Sequence, residues 1–193
     1  MNLVERVKHI LLTPRTEWGV IDAEPATVAE LYTGYIMPLA AIGPIAQFIG
    51  YSLIGMRIPF AGGTYRTPIV SGITGAIVGY VLTLVGVYVL ALIIDALAPS
   101  FDGTRNQIQA LKVAAYSATA GWLAGIFAII PMLGILGILG LYSLYLLYLG
   151  LPVLMKAPKE KALGYTVVVI VAGIVLAVIV SMVMGRFMMM PVA

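Results

Sequence analysis

The chain has no cysteine and a single histidine among its 193 residues. The absence of cysteine excludes disulfides, thiol redox chemistry and cysteine-bound zinc. One histidine and eight acidic residues leave few groups for general acid and base catalysis. The sequence also lacks a phosphate-binding loop, a paired-histidine zinc motif, a nucleophile elbow and a dinucleotide fingerprint. We therefore predict that the protein is not an enzyme, and that it has no catalytic residue, cofactor or metal.

Charge is also scarce, since only 10% of the residues are charged and 62% are hydrophobic. Soluble domains are about 25% charged, so this chain cannot cover a water-facing surface. The mean hydropathy is +1.07 and the net charge is +3. The basic residues are spread over short loops without interleaved aromatic residues, which favours an anionic membrane surface over nucleic acid as their partner. The predicted partners are membrane lipids, other membrane proteins or a second copy of the chain, and no nucleic acid.

What the sequence has instead is long apolar runs. Four tracts contain no charge, at residues 31–56, 67–94, 113–155 and 162–185. Each exceeds the roughly 20 residues that a helix needs to cross about 30 Å of hydrocarbon. The third would make a helix about 65 Å long, so it must fold back, and Pro131 is the favoured hinge. The sequence predicts an all-α fold, a polytopic bundle of five transmembrane helices at about 31–56, 67–97, 112–130, 132–155 and 162–185.

The tracts divide the chain into a cytoplasmic amphipathic segment (1–29), a transmembrane domain (30–186) and a short C-terminal tail (187–193). Near the N-terminus, apolar residues follow one helical stripe at Leu3, Val7, Ile10 and Leu11. The charged residues face elsewhere: Glu5, Arg6, Lys8 and His9. We expect this helix to end at Pro14 and to lie in the membrane interface, with Trp18 as an aromatic anchor near the headgroups. The alternative is a short helix packed against the end of the bundle.

The distribution of Lys and Arg predicts the orientation in a cell membrane. With the N-terminus inside, eight of the eleven basic residues are cytoplasmic and three are outside. The positive-inside rule then places the N-terminus in the cytoplasm and the C-terminus outside. The interfacial basic residues on the cytoplasmic side include Lys156, Lys159 and Lys161.

Few polar residues fall inside the predicted spans. Asp95 is the carboxylate nearest the membrane interior, and intramembrane acids are functional candidates by default. The alternative is a structural anchor paired with Arg105 or Lys112. Tyr142 and Tyr145 form a polar strip whose buried hydroxyls need partners. The candidate partners are Gln47, Tyr116, Ser117 and Thr119, in either an interhelical network or a binding site.

Small residues recur at helical spacing in two spans, at Gly75 and Gly79 and again at Gly121 and Gly125. Such residues let helix backbones approach closely in a bilayer, where lipid supplies no hydrophobic drive for association. We interpret these four glycines as helix-packing positions.

Several motifs in a fixed order resemble the Yip1 family in its bacterial and archaeal form. They are residues 3–21 with Pro14 and Trp18, Phe101-Asp102-Gly103, Gln109-Ala110-Leu111-Lys112-Val113 leading into Tyr116-Ser117, Pro131, Leu141-Tyr142-Ser143-Leu144-Tyr145, and Lys161-Ala162-Leu163. The resemblance implies five spans, a cytoplasmic N-terminus and, from the eukaryotic branch, a role in membrane trafficking with prenylated Rab GTPases. The long acidic N-terminal region and the Asp-Leu-Tyr-Gly-Pro type signature of that branch are absent here, so the resemblance implies a fold more than an activity.

Two functional hypotheses follow. The first is a Yip1-type membrane scaffold or organiser that interacts with lipids or other membrane proteins. The alternative is a small-solute or ion transporter component that uses Asp95 and the polar strip of Tyr142 and Tyr145.

Overall fold

The computed structural model describes residues 2–57 and 63–189, and it contains five helical segments long and apolar enough to cross a membrane. We name them the first to the fifth span: Val28–Ile54, Ile69–Phe101, Gln107–Ile129, Pro131–Leu154 and Lys159–Gly185. The predicted fold class, an all-α bundle of about five transmembrane helices, is confirmed. The only strands among the described residues are β1 (Met56–Arg57) and β2 (Thr64–Tyr65), which pair as a short antiparallel ribbon between the first and second spans.

Two helices precede the first span, where the sequence predicted one. Helix α1 (Leu3–Leu12) is capped by the Asn2 side chain, which accepts from the Glu5 N–H. Thr13 separates it from α2 (Pro14–Ala23), so Pro14 ends one helix by starting the next. The two helices fold back on each other, and Arg6 of α1 forms ion pairs with Glu17 and Glu24. We call residues 3–23 the N-terminal hairpin.

The first span is irregular. A capping box of Thr27 and Glu30 starts α3 (Val28–Leu31). A π-helical turn (Tyr32–Ile36) leads to α4 (Met37–Ala40), the helix breaks at Ala41, and α5 (Ile42–Phe48) ends in a second π-helical turn (Ile49–Ile54). Pro38 and Pro44 each lack the N–H that would bond to the carbonyl four residues earlier, which accounts for the breaks.

The remaining four spans are each built from one to three helical segments. The second span is α6 (Ile69–Leu97) followed by a 3₁₀ turn (Ala98–Phe101). The third is α7 (Gln107–Ser117), α8 (Thr119–Ala124) and a 3₁₀ turn (Gly125–Ile129). The fourth is a 3₁₀ helix (Pro131–Leu141) and α9 (Tyr142–Leu154), and the fifth belongs to α10 (Lys159–Met189).

The chain reverses beside Pro131, because Ile130 is extended (φ −113°, ψ 105°) and the fourth span packs against the third. Helix α10 runs to Met189, so the first residues of the predicted tail (187–193) are helical. Residues 190–193 of that tail lie outside the described residues.

Burial is concentrated at the end of the bundle where the N-terminal hairpin packs. The fully buried side chains there include Ile10, Trp18, Leu111, Leu151 and Tyr165. Tyrosine hydroxyls tie neighbouring spans together by donating to backbone carbonyls: Tyr32 to Leu84 (2.8 Å), Tyr80 to Met37 (3.2 Å) and Tyr165 to Ile94. In contrast, the fourth and fifth spans expose long apolar faces, with Met132 82% exposed. Such faces are suited to lipid rather than to water.

Candidate functional site

The predicted intramembrane polar residues do not converge on one site. Asp95 lies on α6, and its Oδ1 is buried without a hydrogen-bond partner among the described residues. The proposed pairing with Lys112 is wrong, because the Lys112 ammonium donates to the carbonyls of Ile21 (2.8 Å) and Glu24. Arg105 forms no ion pair with Asp95 in the part of the chain that the structure describes.

The polar strip of the fourth span is anchored to the N-terminal hairpin. The Tyr142 hydroxyl donates to the Leu11 carbonyl (3.0 Å), and its ring lies 5.4 Å from that of Tyr145, which is 38% exposed. None of the predicted side-chain partners receives this bond. The expectation was wrong because a backbone carbonyl of the hairpin, which sequence reasoning had placed in the interface, satisfies the hydroxyl.

Two other candidates from the third span have structural contacts. The Ser117 hydroxyl donates to the Val113 carbonyl of its own helix (2.6 Å). The Tyr116 ring packs edge-on against Tyr35 at 4.5 Å and against Trp18 at 6.4 Å. The Arg6 guanidinium lies 5.7 Å from the centre of the same ring, within cation–π range. Tyr116 therefore joins the hairpin to the first and third spans.

A buried ion pair inside the hairpin was missed by the sequence analysis. Arg6 is 5% exposed and Glu17 is 4% exposed, and the two side chains pair directly. The expectation that Arg6 faces away from the buried stripe is wrong. Burial lowers the pKa of Arg6, but the hydrogen bond to Glu24 and the nearby carboxylates outweigh it and raise that pKa. The hydrogen bond from Arg6 lowers the pKa of Glu24. Arg6 and Glu24 are therefore both charged at neutral pH.

Further charged groups fasten α2 to the bundle. Lys112 bonds to the carbonyls at the end of α2, where a cation also interacts favourably with the helix dipole. Asp22 pairs with Lys156 at 2.5 Å and accepts a hydrogen bond from the Gln109 amide (3.1 Å). We call the six residues that hold the hairpin the charged cluster: Arg6, Glu17, Asp22, Glu24, Lys112 and Lys156. Three cations and three anions make the charged cluster neutral in sum, which reduces the cost of burying it.

Trp18 does not contact the headgroup region. It is 1% exposed, and its indole lies on the backbone of Gly150, where an added Cβ would come within 2.7 Å of the ring. The predicted interfacial anchor is therefore corrected to a buried contact between the hairpin and the fourth span. This contact supports the alternative in which the N-terminal segment packs against the bundle.

One pattern in the sequence indicates the buried pair of Arg6 and Glu17. In α2 the buried residues include Pro14, Glu17 and Ile21, at the spacing of one helical stripe. An acid on the apolar stripe of a short helix needs a buried cation, and Arg6 lies at the corresponding position of α1, one turn before Ile10. The sequence analysis predicted one helix here, ending at Pro14, and so did not identify the second helix that carries the acid.

The basic residues predicted at the interface share the hairpin end of the bundle. Lys156 belongs to the charged cluster, and Lys161 pairs with Asp102 at 2.5 Å on the surface. Lys159 is exposed at the first residue of α10.

The other end of the bundle brings together residues that were predicted separately. A cavity of about 500 Å³ lies between the first, second, third and fifth spans, and we call it the intramembrane groove. Its walls include Gln47, Gly75, Gly79, Gly121 and Gly125. An added Cβ at Gly125 would lie 3.0 Å from the Gly43 Cα, so at this position the first and third spans do approach closely. Gly125 thus lies where the first and third spans cross closely, and the other glycines line the open space beside that crossing.

A second cavity, of about 390 Å³, lies at the hairpin end and is lined by Arg6, Glu24, Glu30, Tyr35 and Tyr116, among others. The Tyr35 hydroxyl lies 2.6 Å from the Thr119 hydroxyl. Neither cavity is lined by Asp95, Tyr142 or Tyr145. Within the described residues, no group of three acidic, His or Cys side chains is placed to hold a metal ion.

The sequence model of the Yip1 domain matches residues 8–180, which is most of the chain. The chain belongs to the Yip1 family. It is 30% identical over 166 residues to the inner membrane protein YohC of Escherichia coli, both in strain K12 and in strain O6:H1 (CFT073). The match covers 83% of this chain and 84% of that protein. No solved structure is significantly similar. The resemblance noted from the motifs is confirmed, and the Yip1 match spans the hairpin from Lys8 onward as well as the helices it packs on.

Proposed function

We propose that this Yip1-family protein is a non-enzymatic organiser of the cell membrane that binds lipids or other membrane proteins. The observation that carries the proposal is the use of its polar side chains. The charged cluster holds the hairpin, Tyr142 bonds to Leu11, and Ser117 bonds within its own helix. These groups serve packing and are not arranged around a reacting atom. The membrane location is supported by the five apolar spans and by the inner-membrane relative.

The proposed orientation places the N-terminal hairpin on the cytoplasmic side and the C-terminus outside. The hairpin shares its end of the bundle with Lys156, Lys159 and Lys161, and a basic end is favoured at the cytoplasmic leaflet. A reporter fused after Ala193 that is active only outside the cytoplasm is the expected result. Activity only in the cytoplasm would contradict the orientation.

The organiser proposal is tested by photo-crosslinking in native membranes. One crosslinking residue replaces Val4, which is 74% exposed on the hairpin, and another replaces Ile138 on the apolar face of the fourth span. We expect reproducible adducts with the chain itself or with the same membrane protein from at least one position. If neither position gives a protein adduct, and affinity capture returns neither a lipid nor a protein reproducibly, the organiser role is wrong.

Transport is the second candidate, because the intramembrane groove with Gln47 is a cavity inside the spans. Its weakness is that the groove is lined neither by Asp95 nor by Tyr145. The test is flux of ions or small solutes into liposomes, comparing the wild type with Asp95→Asn. Flux above that of protein-free vesicles that falls in the variant would favour transport. Flux equal to protein-free vesicles would remove this candidate.

A further inference from the structure

The intramembrane groove has a polar end and an apolar length. Tyr51, Ser52 and Thr67 line it where the first span ends and the second begins. From there it extends along the first span to Ala40, a distance of about 18 Å at 1.5 Å per residue. Its lining is mostly apolar over that length, with Gln47 and Thr83 as polar exceptions. This order, polar at the membrane surface and apolar toward the bilayer centre, is the order of groups in a phospholipid.

The volume of the groove limits what can occupy it. The groove has a volume of about 500 Å³, whereas a helix about 18 Å long and 10–12 Å across would occupy roughly 1,700 Å³. A transmembrane helix of a second copy is about 10–12 Å across with its side chains, so it does not fit. A single hydrocarbon chain does fit. The glycines of α6 leave space on their side of the groove because they have no side chain. An added Cβ at Gly79 would already contact the Met184 side chain at 3.5 Å.

A buried hydroxyl at the polar end lacks a partner. Ser52 is 6% exposed, and its Oγ has no hydrogen-bond partner among the described residues. Gly72 makes room for it, since a Cβ there would come within 2.1 Å of that oxygen. A polar group buried without a partner costs free energy. The Oγ is enclosed between the first and second spans, so Ser52 belongs to the closed wall of the polar end and does not donate to a ligand.

A cation lies at the same end. Arg66 directly precedes Thr67 of the groove, and its Nε donates weakly to the Ile54 carbonyl at the end of the first span (3.4 Å). Its side chain is in no ion pair with an acid in the described part of the chain. A guanidinium beside a hydroxyl-lined mouth is the arrangement that binds a phosphate.

We propose that the intramembrane groove binds one anionic phospholipid. The phosphate lies at Arg66, beside Thr67 at the mouth, and one acyl chain follows the glycines of α6 past Gly79 toward Ala40. This inference rests on the proposed organiser function and names its lipid partner. An apolar groove open to the bilayer is filled by whatever hydrocarbon fits it, and Arg66 adds the preference for an anionic headgroup.

The experiment compares bound lipid in matched variants by native mass spectrometry of protein purified in detergent. The protein is exchanged with vesicles of phosphatidylglycerol or of phosphatidylcholine before purification. Gly79→Leu fills the groove, and Gly86→Leu is its control, because Gly86 lies on the same helix, lines no part of the groove and has no atom near an added Cβ. Arg66→Gln removes the headgroup contact, and Arg105→Gln removes an exposed arginine at the other end of the bundle.

We expect one phosphatidylglycerol per wild-type chain, at least tenfold less in Gly79→Leu, and wild-type retention in Gly86→Leu and Arg105→Gln. Arg66→Gln should lose the preference for phosphatidylglycerol over phosphatidylcholine. Equal retention in Gly79→Leu and the wild type would overturn the groove as the site, and equal retention of the two lipids by the wild type would overturn the role of Arg66. Either failure leaves the crosslinking test of the organiser role unaffected.

A labelling measurement on the wild type covers the case in which Gly79→Leu does not fold. Phosphatidylglycerol with a photoactivatable group at mid-chain should label peptides that contain 40–48 or 72–83 at least fivefold more than the lipid-facing 132–141. Uniform labelling would show that the chain only samples bulk lipid and would overturn the proposal. Loss of a dimer in Gly79→Leu without loss of lipid would also overturn it, in favour of a second copy.

Discussion

At the hairpin end of the bundle Arg6, Glu17 and Trp18 are almost completely buried, whereas at the groove end the fourth and fifth spans leave most of their apolar side chains exposed. Apolar surface needs no protein partner in a bilayer, because lipid chains satisfy it equally well. Charged side chains do need one, since burial without a partner is costly. The hairpin end, which buries charged groups, therefore requires particular partners for them. The groove end, which is apolar, tolerates looser packing between its helices.

The two tryptophans give the largest expected contrast between these ends. Trp18→Ala removes a fully buried ring from between the hairpin and Gly150 and should lower stability by about 3–5 kcal/mol. Trp122 lines the intramembrane groove and is only partly buried, so Trp122→Ala should cost less than half as much. Unfolding in detergent measures both changes. Equal losses would mean that the two ends are packed to the same degree.

The ion pairs give the next contrast. Glu17→Gln leaves the buried Arg6 guanidinium without its buried carboxylate partner and should cost about 1–3 kcal/mol. The matched change at the surface pair with Lys161 is Asp102→Asn, where both side chains are more than 40% exposed. It should cost no more than about 1 kcal/mol. The free energy of unfolding is the measurement, and a larger loss in Asp102→Asn would refute the assignment of the charged cluster as the specific contact.

The sequence was sufficient for the spans but not for the hairpin. Charge-free tracts and the thickness of the bilayer fix the number of helices, and a proline inside an overlong tract locates the reversal at Ile130. Arg6 was misplaced because the helical stripe rule sorts side chains by their own polarity. In the folded protein, Glu17 and Glu24 lie beside Arg6. These two carboxylates offset the free-energy cost of burying the guanidinium.

The partner of Tyr142 was missed for a related reason. A buried hydroxyl predicts that some acceptor is near, but backbone carbonyls are present at every position, so the sequence does not select Leu11 among them. The glycines posed a different problem. Spacing predicts that Gly121 and Gly125 face a neighbouring helix, yet whether the neighbours close on them or leave a groove depends on the side chains of four spans.

Two glycines test the difference in packing at a finer level. A Cβ at Gly150 would lie 2.7 Å from the Trp18 indole, so Gly150→Ala must displace the ring and should cost about 1–3 kcal/mol. A Cβ at Gly134 in the fourth span meets no atom within 4 Å. Gly134→Ala should leave stability unchanged or raise it slightly, because alanine has the higher helix propensity. Thermal unfolding in the same detergent compares them, and a loss in Gly134→Ala would show that the exposed face is packed after all.

The smallest expected effect concerns Glu24, whose side chain in the charged cluster is partly exposed. The hydrogen bond from Arg6 lowers the pKa of Glu24 below its ordinary value of 4.5. The folded protein therefore releases this proton more readily than the unfolded chain, and the resulting stabilisation is present above that value and lost as the pH falls through the lower folded pKa. Because the side chain is 43% exposed, we expect less than about 1 kcal/mol.

Glu24→Gln should accordingly lower the unfolding temperature slightly at neutral pH, and its difference from the wild type should shrink as the pH is lowered past the folded pKa of Glu24. Glu160→Gln, which removes a carboxylate from the start of α10, is the control and should give no difference that depends on Arg6. Repeating both changes in an Arg6→Met background isolates the pair, because the effect of Glu24→Gln should then vanish at every pH. If it persisted, Glu24 would stabilise the hairpin through another contact, and the specificity of this end would rest on Arg6 and Glu17 alone.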